Sequence, residues 1–185
     1  MNIVVVGNDI SFAECKVRFG DGHDYFYYAE PGSSHIPLRA GAVFDFSADW
    51  TDERLSLYAN IKDSTIFLNT VFTTLSNLLS GGNVQTPFFG FCGLPTFFNR
   101  SILEITSVNP MNTEILERTM EGLDAPFKLV KDQVGMVTPR IIAMIINEAC
   151  EAFRQGVASR EDIDLSMKLG TNYPFGPFEW AEKLD

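Results

Sequence analysis

Residues 4–12, VVVGNDISF, decide how the chain begins to fold. The valines that follow Ile3 are typical of a strand buried on both faces in a parallel sheet. Gly7 provides a turn, and the spacing S-x-x-E of Ser11 and Glu14 predicts a capping box for a helix that runs to Gly20. The stretch therefore predicts a strand, a turn and a helix, which is the usual beginning of an α/β domain.

The same alternation continues outward from this unit. Apolar stretches predict further strands, and short amphipathic segments between them predict helices. The predicted strands cover residues 24–30, 42–48, 64–72, 87–94, 101–108 and 126–132. This order is typical of a Rossmann-like, doubly wound and mostly parallel α/β sheet, here in an abbreviated form over residues 1–131.

From residue 132 the pattern predicts helices alone, as a truncated all-α domain over residues 132–185. Residues 136–155 are apolar on nearly all sides between Ile141 and Ile146, and such a helix must be covered. A segment of only ~50 residues is too short for an independent core. It must pack on the α/β part, on a second copy of the chain or on another partner. Ser159 and Asp162 predict a capping box in this segment.

Composition excludes several classes of partner. The net charge of −10 over 185 residues disfavours nucleic acid and anionic membranes, which reward Lys and Arg. No apolar run approaches the ~18 residues of a membrane span, and the amino terminus lacks the basic flank of a secretion signal. Three dispersed cysteines and two histidines form no metal-binding pattern. We therefore expect a cytoplasmic protein with reduced thiols and no metal.

The segment GVASREDIDLSMKLGTNYPFGPFEW, residues 156–180, carries a family resemblance. It resembles the C-terminal domain of NAD-dependent 3-hydroxyacyl-CoA dehydrogenases. The similarity extends back through KDQVGMVTPRIIAMIINEA (131–149) and GLPTFFNRSILEITSV (93–108). The resemblance implies a Rossmann-like fold and the oxidation of 3-hydroxyacyl-CoA to 3-ketoacyl-CoA in fatty-acid metabolism.

The family's catalytic residues are only partly retained. The family removes the 3-hydroxyl proton with a histidine just before FFN, and a glutamate on the next strand orients that histidine. Here Thr96 stands at the histidine position, whereas Glu104 matches the glutamate. The family's substrate-binding asparagine is replaced by Pro139. Threonine cannot act as a base near neutral pH, so Glu104 is expected to be a structural or solvated carboxylate.

The opening loop also departs from the dinucleotide fingerprint G-x-G-x-x-G. Its three glycine positions hold Gly7, Asp9 and Phe12, and Glu30 is the candidate for the ribose-binding acid. A like charge ~4 Å from Asp9 would cost about 1 kcal/mol in water and ~4 kcal/mol at an effective dielectric constant of 20. Phe12 is expected to hold the helix off the strand. We therefore expect no cofactor.

Three functions remain open. The first is an inactive homologue that acts as a binding or assembly subunit, with an acyl-CoA-like candidate ligand and a homodimer formed through helix 136–155. The second is an active, divergent NAD-dependent dehydrogenase that uses Glu104 and a relocated base. The third is a site for another small molecule in the α/β crevice. The candidate contacts are Asn69, Thr70, Thr73 and Thr74, and helix capping explains Thr73 and Thr74 at least as well.

Overall fold

The computed structural model describes residues 1–29, 40–59, 61, 63–80 and 86–184, and these are the described residues below. They form two units, Met1–Met136 and Val137–Asp185. The strands of the first unit are β1 (Asn2–Val6), β2 (Asp24–Tyr28), β3 (Ala42–Asp45), β4 (Thr65–Asn69), β5 (Phe88–Phe91), β6 (Leu103–Thr106) and β7 (Phe127–Leu129). Its α-helices are α1 (Asp9–Phe19), α2 (Asp52–Ala59), α3 (Leu75–Leu78) and α4 (Thr113–Gly122), and a 3-10 turn, Pro110–Asn112, precedes α4.

The seven strands form one sheet in the order β2-β1-β3-β4-β5-β6-β7. Strands β1 to β5 are parallel, β6 is antiparallel to β5, and β7 is parallel to β6. The predicted Rossmann-like, mostly parallel α/β sheet is therefore confirmed. Because β1, β3, β4 and β5 are parallel, their carboxyl ends lie along a single edge of the sheet, where α/β folds place their ligands.

The core explains the apolar runs of the sequence. The central strands are buried on both faces, so that their side chains feed two clusters, one on each side of the sheet. One cluster is rich in phenylalanine, and the rings of Phe44 and Phe67 stack with their centroids 4.5 Å apart. Phe98, from the loop after β5, packs edge-on against Phe44 at 5.5 Å. The loop that follows β5 is thus anchored to the core by its own aromatic side chains.

The second unit contains α5 (Thr138–Arg154), α6 (Arg160–Thr171) and α7 (Pro177–Leu184). Ser159 caps α6 as predicted, because its Oγ accepts the Asp162 N–H at 3.1 Å. The Asp162 carboxylate accepts the Ser159 hydroxyl at 2.7 Å, so only the N-cap half of the predicted capping box is observed. Asp164 in turn caps α7 and accepts the N–H groups of Phe178 and Glu179 at 2.8 and 3.1 Å. Trp180 is 1% exposed. The short unit is therefore held together by helix caps as well as by apolar packing.

The short helix expected between strands 64–72 and 87–94 is limited to the single turn Leu75–Leu78, because Thr74 caps it and Ser80 already belongs to the turn that follows. The apolar residues of segment 136–155 are only partly covered within one chain. Ile142 is buried, whereas Ile141 and Met144 are 53% and 63% exposed. No helix among the described residues is long and apolar enough to cross a membrane.

Candidate functional site

The turn after β1 retains the first glycine of the fingerprint and replaces the rest. Gly7 has a φ of +153°, and a Cβ at this position would lie 3.0 Å from Cβ of Phe46. A larger residue would therefore be strained and crowded. The helix begins at Asp9, and Asn8 is its N-cap: Asn8 Oδ1 accepts the Ser11 N–H at 2.9 Å. The predicted capping box of Ser11 and Glu14 is wrong, because the helix starts before Ser11.

The other cofactor-loop positions have partners on β2. The Asp9 carboxylate accepts the Tyr27 hydroxyl at 2.9 Å, and this hydrogen bond raises the pKa of Tyr27. The Phe12 ring stacks on Tyr27 with centroids 4.8 Å apart. The Phe12 ring thus packs against a side chain of β2. Glu30 lies outside the described residues.

Thr96 has an unusual backbone conformation in the loop after β5. Its φ is +71°, a region that β-branched residues rarely adopt. Its N–H donates to the carboxylate of Glu14 on α1 at 2.8 Å, across 82 residues of sequence. Its own Oγ1 is buried and has no hydrogen-bond partner among the described residues. The position that aligns with the family's base is therefore held by a strained backbone and a single hydrogen bond to α1.

Glu14 and Glu104 are both close enough to Cys92 to influence its thiol electrostatically. Burial raises the pKa of Glu14, and the hydrogen bond from Thr96 acts in the opposite direction. Burial also raises the pKa of Cys92 to about 12, with smaller electrostatic contributions from Glu104, Arg100 and Glu14. Glu104 is half-buried on β6, as the resemblance places it. The fold therefore brings a second carboxylate, Glu14, into this neighbourhood, which sequence spacing did not indicate.

Asn69 joins three of the loops at this edge. Its side chain donates to the Phe46 carbonyl at 3.1 Å and accepts the Gly93 N–H at 3.0 Å. Thr70 next to it is 1% exposed, and its hydroxyl has no partner among the described residues. Thr74 caps α3 by accepting the Asn77 N–H at 3.2 Å, so capping explains this threonine. Asn69 and Thr70 remain candidates for ligand contact.

Asp132 was not identified from the sequence. Both of its carboxylate oxygens accept backbone N–H groups at the start of α3, from Leu75 and Ser76, at 2.8 Å each. The Gly135 N–H donates to the Val71 carbonyl at 2.8 Å. The segment after β7 thereby holds the β4–α3 loop. No local pattern predicts a contact that spans 57 residues.

Pro139 is buried near the start of α5, in the second unit. Proline is well suited to this position because the first turn of a helix does not use its N–H groups. Without a side-chain donor or acceptor, Pro139 cannot replace the hydrogen bonds of an asparagine. Among the described residues, no group of three His, Cys, Asp or Glu side chains is arranged to hold a metal ion.

Comparison with known proteins identifies relatives for both units. The profile of the family described as "3-hydroxyacyl-CoA dehydrogenase, C-terminal domain" matches residues 135–185. 3-Hydroxyadipyl-CoA dehydrogenase of Escherichia coli is 53% identical over 55 residues, which are 30% of this chain and 12% of that protein. Human mitochondrial hydroxyacyl-coenzyme A dehydrogenase is 32% identical over 136 residues, which are 69% of this chain. The chain covers 41% of the human protein, less than half of its length.

The solved structures agree on the fold. The crystal structure of (S)-3-hydroxybutyryl-CoA dehydrogenase from Ralstonia eutropha matches with a TM-score of 0.69 and 20% identity, over 95% of this chain and 79% of the other. At that identity the likeness establishes the fold alone. The expectation that no cofactor is involved is contradicted, because the relatives are dehydrogenases of an NAD-dependent family.

Proposed function

The chain belongs to the 3-hydroxyacyl-CoA dehydrogenase family, and from that premise we propose that it is a binding subunit for acyl-CoA-like esters in which the family's NAD-linked oxidation is lost or slow. The observation that carries the proposal is Thr96 at the position of the family's base. Its hydroxyl cannot take up a proton near neutral pH. Its buried Oγ1 and strained backbone leave this side chain poorly suited to direct proton transfer.

The neighbouring residues support the same proposal. His23, the histidine among the described residues, lies just before β2 and therefore at the amino edge of the sheet, opposite Thr96. The Glu14 carboxylate is already engaged by the Thr96 N–H. Pro139 has no side-chain hydrogen bond to offer a thioester or hydroxyl oxygen. None of these residues reproduces the imidazole–carboxylate pair of the family.

The β1 loop suggests how nicotinamide cofactor binding would change. NAD supplies the hydride acceptor in this family, and Gly7 would keep the tight turn below its pyrophosphate. Asn8 occupies the Ser11 N–H, which a helix N-terminus otherwise offers to phosphate, and Asp9 adds an exposed negative charge. These residues do not fit a pyrophosphate as the glycine-rich loop does. We therefore propose weakened NAD binding, and we derive no chemical step through the cofactor.

The test measures binding and turnover separately. Acetoacetyl-CoA binding is followed by calorimetry, and NADH oxidation with the same ester is followed by absorbance. We expect saturable ester binding and turnover far below the 1–10³ s⁻¹ that is typical of enzymes. Turnover within that range by the unaltered chain would refute the proposal, and absence of ester binding would refute the binding role.

A gain-of-function variant tests the assigned reason. Thr96→His restores an imidazole, and histidine tolerates a positive φ better than threonine does. General acid–base catalysis contributes typically 10²–10⁴-fold, so we expect turnover to rise within that range. Thr171→His, on the exposed surface of α6, is the matched control and should not raise it. An equal rise in both variants would show that the position of the imidazole is irrelevant.

We also propose that the chain forms a homodimer through residues 136–155. Ile141 and Met144 are spaced i, i+3 on α5 and are more than half exposed, which supports an apolar contact surface. Sedimentation equilibrium should give a dimer for the unaltered chain and for Thr171→Asp, a control at an exposed position of α6. Ile141→Asp should be monomeric or insoluble. A dimer that survives Ile141→Asp and Met144→Asp would exclude this surface.

The compartment is part of the same proposal. The three cysteines form no disulfide, and Cys15 and Cys92 are buried. Free thiols suit a reducing compartment, and we propose the cytoplasm. Fractionation of cells that express the tagged chain should recover it with cytoplasmic markers, and recovery in another compartment would contradict this.

A further inference from the structure

A cavity of about 530 Å³ lies at the amino edge of the sheet, opposite the candidate functional site. It is lined by residues at the start of β4 and β5 and by one face of α4, including Thr65, Pro87, Ile115, Arg118 and Thr119. Its volume lies within the ~300–1,000 Å³ that is common for small-molecule sites. Because the carboxyl-edge loops do not contribute to it, the cavity is distinct from the site described above.

The hydroxyl protons of Thr65 and Thr119 are already used in hydrogen bonds. Thr119 Oγ1 donates to the Ile115 carbonyl at 2.8 Å. Thr65 Oγ1 and Thr119 Oγ1 are also 2.8 Å apart, so Thr65 must be the donor of that pair. A hydroxyl has one proton and two lone pairs. Thr65 Oγ1 therefore faces a ligand as an acceptor.

Three backbone N–H groups nearby also have hydrogen-bond partners. The Gly41 N–H donates to the Asn2 carbonyl at 3.0 Å, and the Thr65 N–H donates to the Gly41 carbonyl at 3.2 Å. The Ile66 N–H donates to the Pro87 carbonyl at 3.0 Å. These three N–H groups are therefore not free to bind an anion, as those of a phosphate loop are.

Arg118 is the cationic side chain of the lining. It is exposed, and it has no hydrogen bond or ion pair with any other described residue. Its guanidinium can hold a carboxylate through two parallel hydrogen bonds. Ile115 and Pro87 provide apolar surface in the same cavity.

From these groups we propose that the cavity binds a small carboxylic acid that carries a hydrogen-bond donor beside the acid group and an apolar chain. Arg118 holds the carboxylate, Thr65 Oγ1 accepts the donor, and the apolar chain contacts Ile115 and Pro87. α-Amino acids and α-hydroxy acids share this chemistry. Asp63, which also lines the cavity, favours the ammonium group of an amino acid over a hydroxyl. The inference does not depend on the function proposed above.

The experiment uses the full chain and four probes that differ by one group each. Leucine has both the acid and the ammonium, and 2-hydroxy-4-methylpentanoate has a hydroxyl as its donor. 4-Methylpentanoate lacks the donor, and leucinamide lacks the carboxylate. Methyl NMR of Ile115 and Met1, two lining residues, reports binding at the cavity itself. We expect saturable shifts that are strongest with leucine, weaker with the hydroxy acid, and at least about tenfold weaker with the other two.

Variants separate the cavity from the rest of the surface. Arg118→Gln and Thr65→Val should each weaken leucine binding about tenfold or more. Thr65→Ser keeps the hydroxyl and should bind normally. Arg154→Gln is the matched control, because Arg154 is an exposed arginine of the second unit that pairs with Glu151. Circular dichroism shows that each variant is folded before it is compared.

Three results would overturn the proposal. The first is that none of the four probes gives a saturable shift at Ile115. The second is that 4-methylpentanoate or leucinamide binds as tightly as leucine. The third is that folded Arg118→Gln binds leucine as the unaltered chain does, since the cation is then not part of the site.

Discussion

Gly90→Ala tests the packing near the carboxyl end of β5, between Thr70, which follows β4, and Thr106 on β6. A Cβ on Gly90 would lie 2.3 Å from Oγ1 of Thr70 and 2.4 Å from Cγ2 of Thr106. Ordinary contacts begin near 3.4 Å, so each neighbour would have to retreat by about 1 Å. Both threonines are 1% exposed and β-branched, and neither can turn away freely. Overpacking of this kind costs typically 1–3 kcal/mol.

The net loss is smaller than the full cost of the clash. Alanine recovers roughly 0.5–1 kcal/mol in a strand because it restricts the unfolded chain more than glycine does. From a clash of about 3 kcal/mol, a net loss of about 2 kcal/mol in the free energy of unfolding remains. With a urea m-value of about 2 kcal/mol/M, the unfolding midpoint should fall by about 1 M.

Urea unfolding followed by circular dichroism measures this shift. Gly22→Ala is the control, because a Cβ on Gly22 meets no atom within 4 Å. It should stay within about 0.5 kcal/mol of the unaltered chain. Adding Thr70→Ala and Thr106→Ser to Gly90→Ala should restore most of the loss. An unchanged midpoint for Gly90→Ala, or no recovery in the triple variant, would show that these strands do not pack as described.

Three further predictions concern titration, thiol reactivity and the second unit. Burial raises the pKa of Glu14 in the folded state, so the folded chain holds the Glu14 proton more tightly than the unfolded chain does. The stability that this proton contributes is present at low pH and is lost as pH rises from the unfolded to the folded pKa of Glu14. Glu14→Gln should therefore remove this part of the pH dependence of the free energy of unfolding, measured by urea unfolding. A thiol reagent such as Ellman's should label the exposed Cys150 rapidly in the native chain. Cys92 is buried, and burial raises its pKa to about 12, so it should react only after denaturation. Two fast-reacting thiols in the native chain would contradict this. Asp164→Ala should cost about 1–2 kcal/mol because it uncaps α7, and Trp180 fluorescence would show an earlier transition, whereas an unchanged transition would mean that the cap contributes nothing.

Sequence reasoning succeeded where neighbouring residues determine the outcome. The run VVV before Gly7, the cap at Ser159 and the glycine turn itself are local features, and the structure has each of them. It failed at Ser11 and Glu14, although their spacing is that of a capping box. Asn8 reaches the same N–H group from the preceding turn. Glu14 is then available to the Thr96 N–H, a partner that short-range spacing cannot indicate.

The order of the residues was enough to predict the alternation of strands and helices, the family, and the absence of a histidine beside FFN. These properties follow from side-chain periodicity and residue identity, which need no knowledge of the folded chain. The tertiary structure alone decided the antiparallel pairing of β6 with β5, the positive φ of Thr96, and the placement of Asp132 at the start of α3. It also placed Arg118 and Thr65 in the lining of one cavity. Such contacts join residues tens of positions apart, and they exist only once the sheet has set the order and direction of its strands.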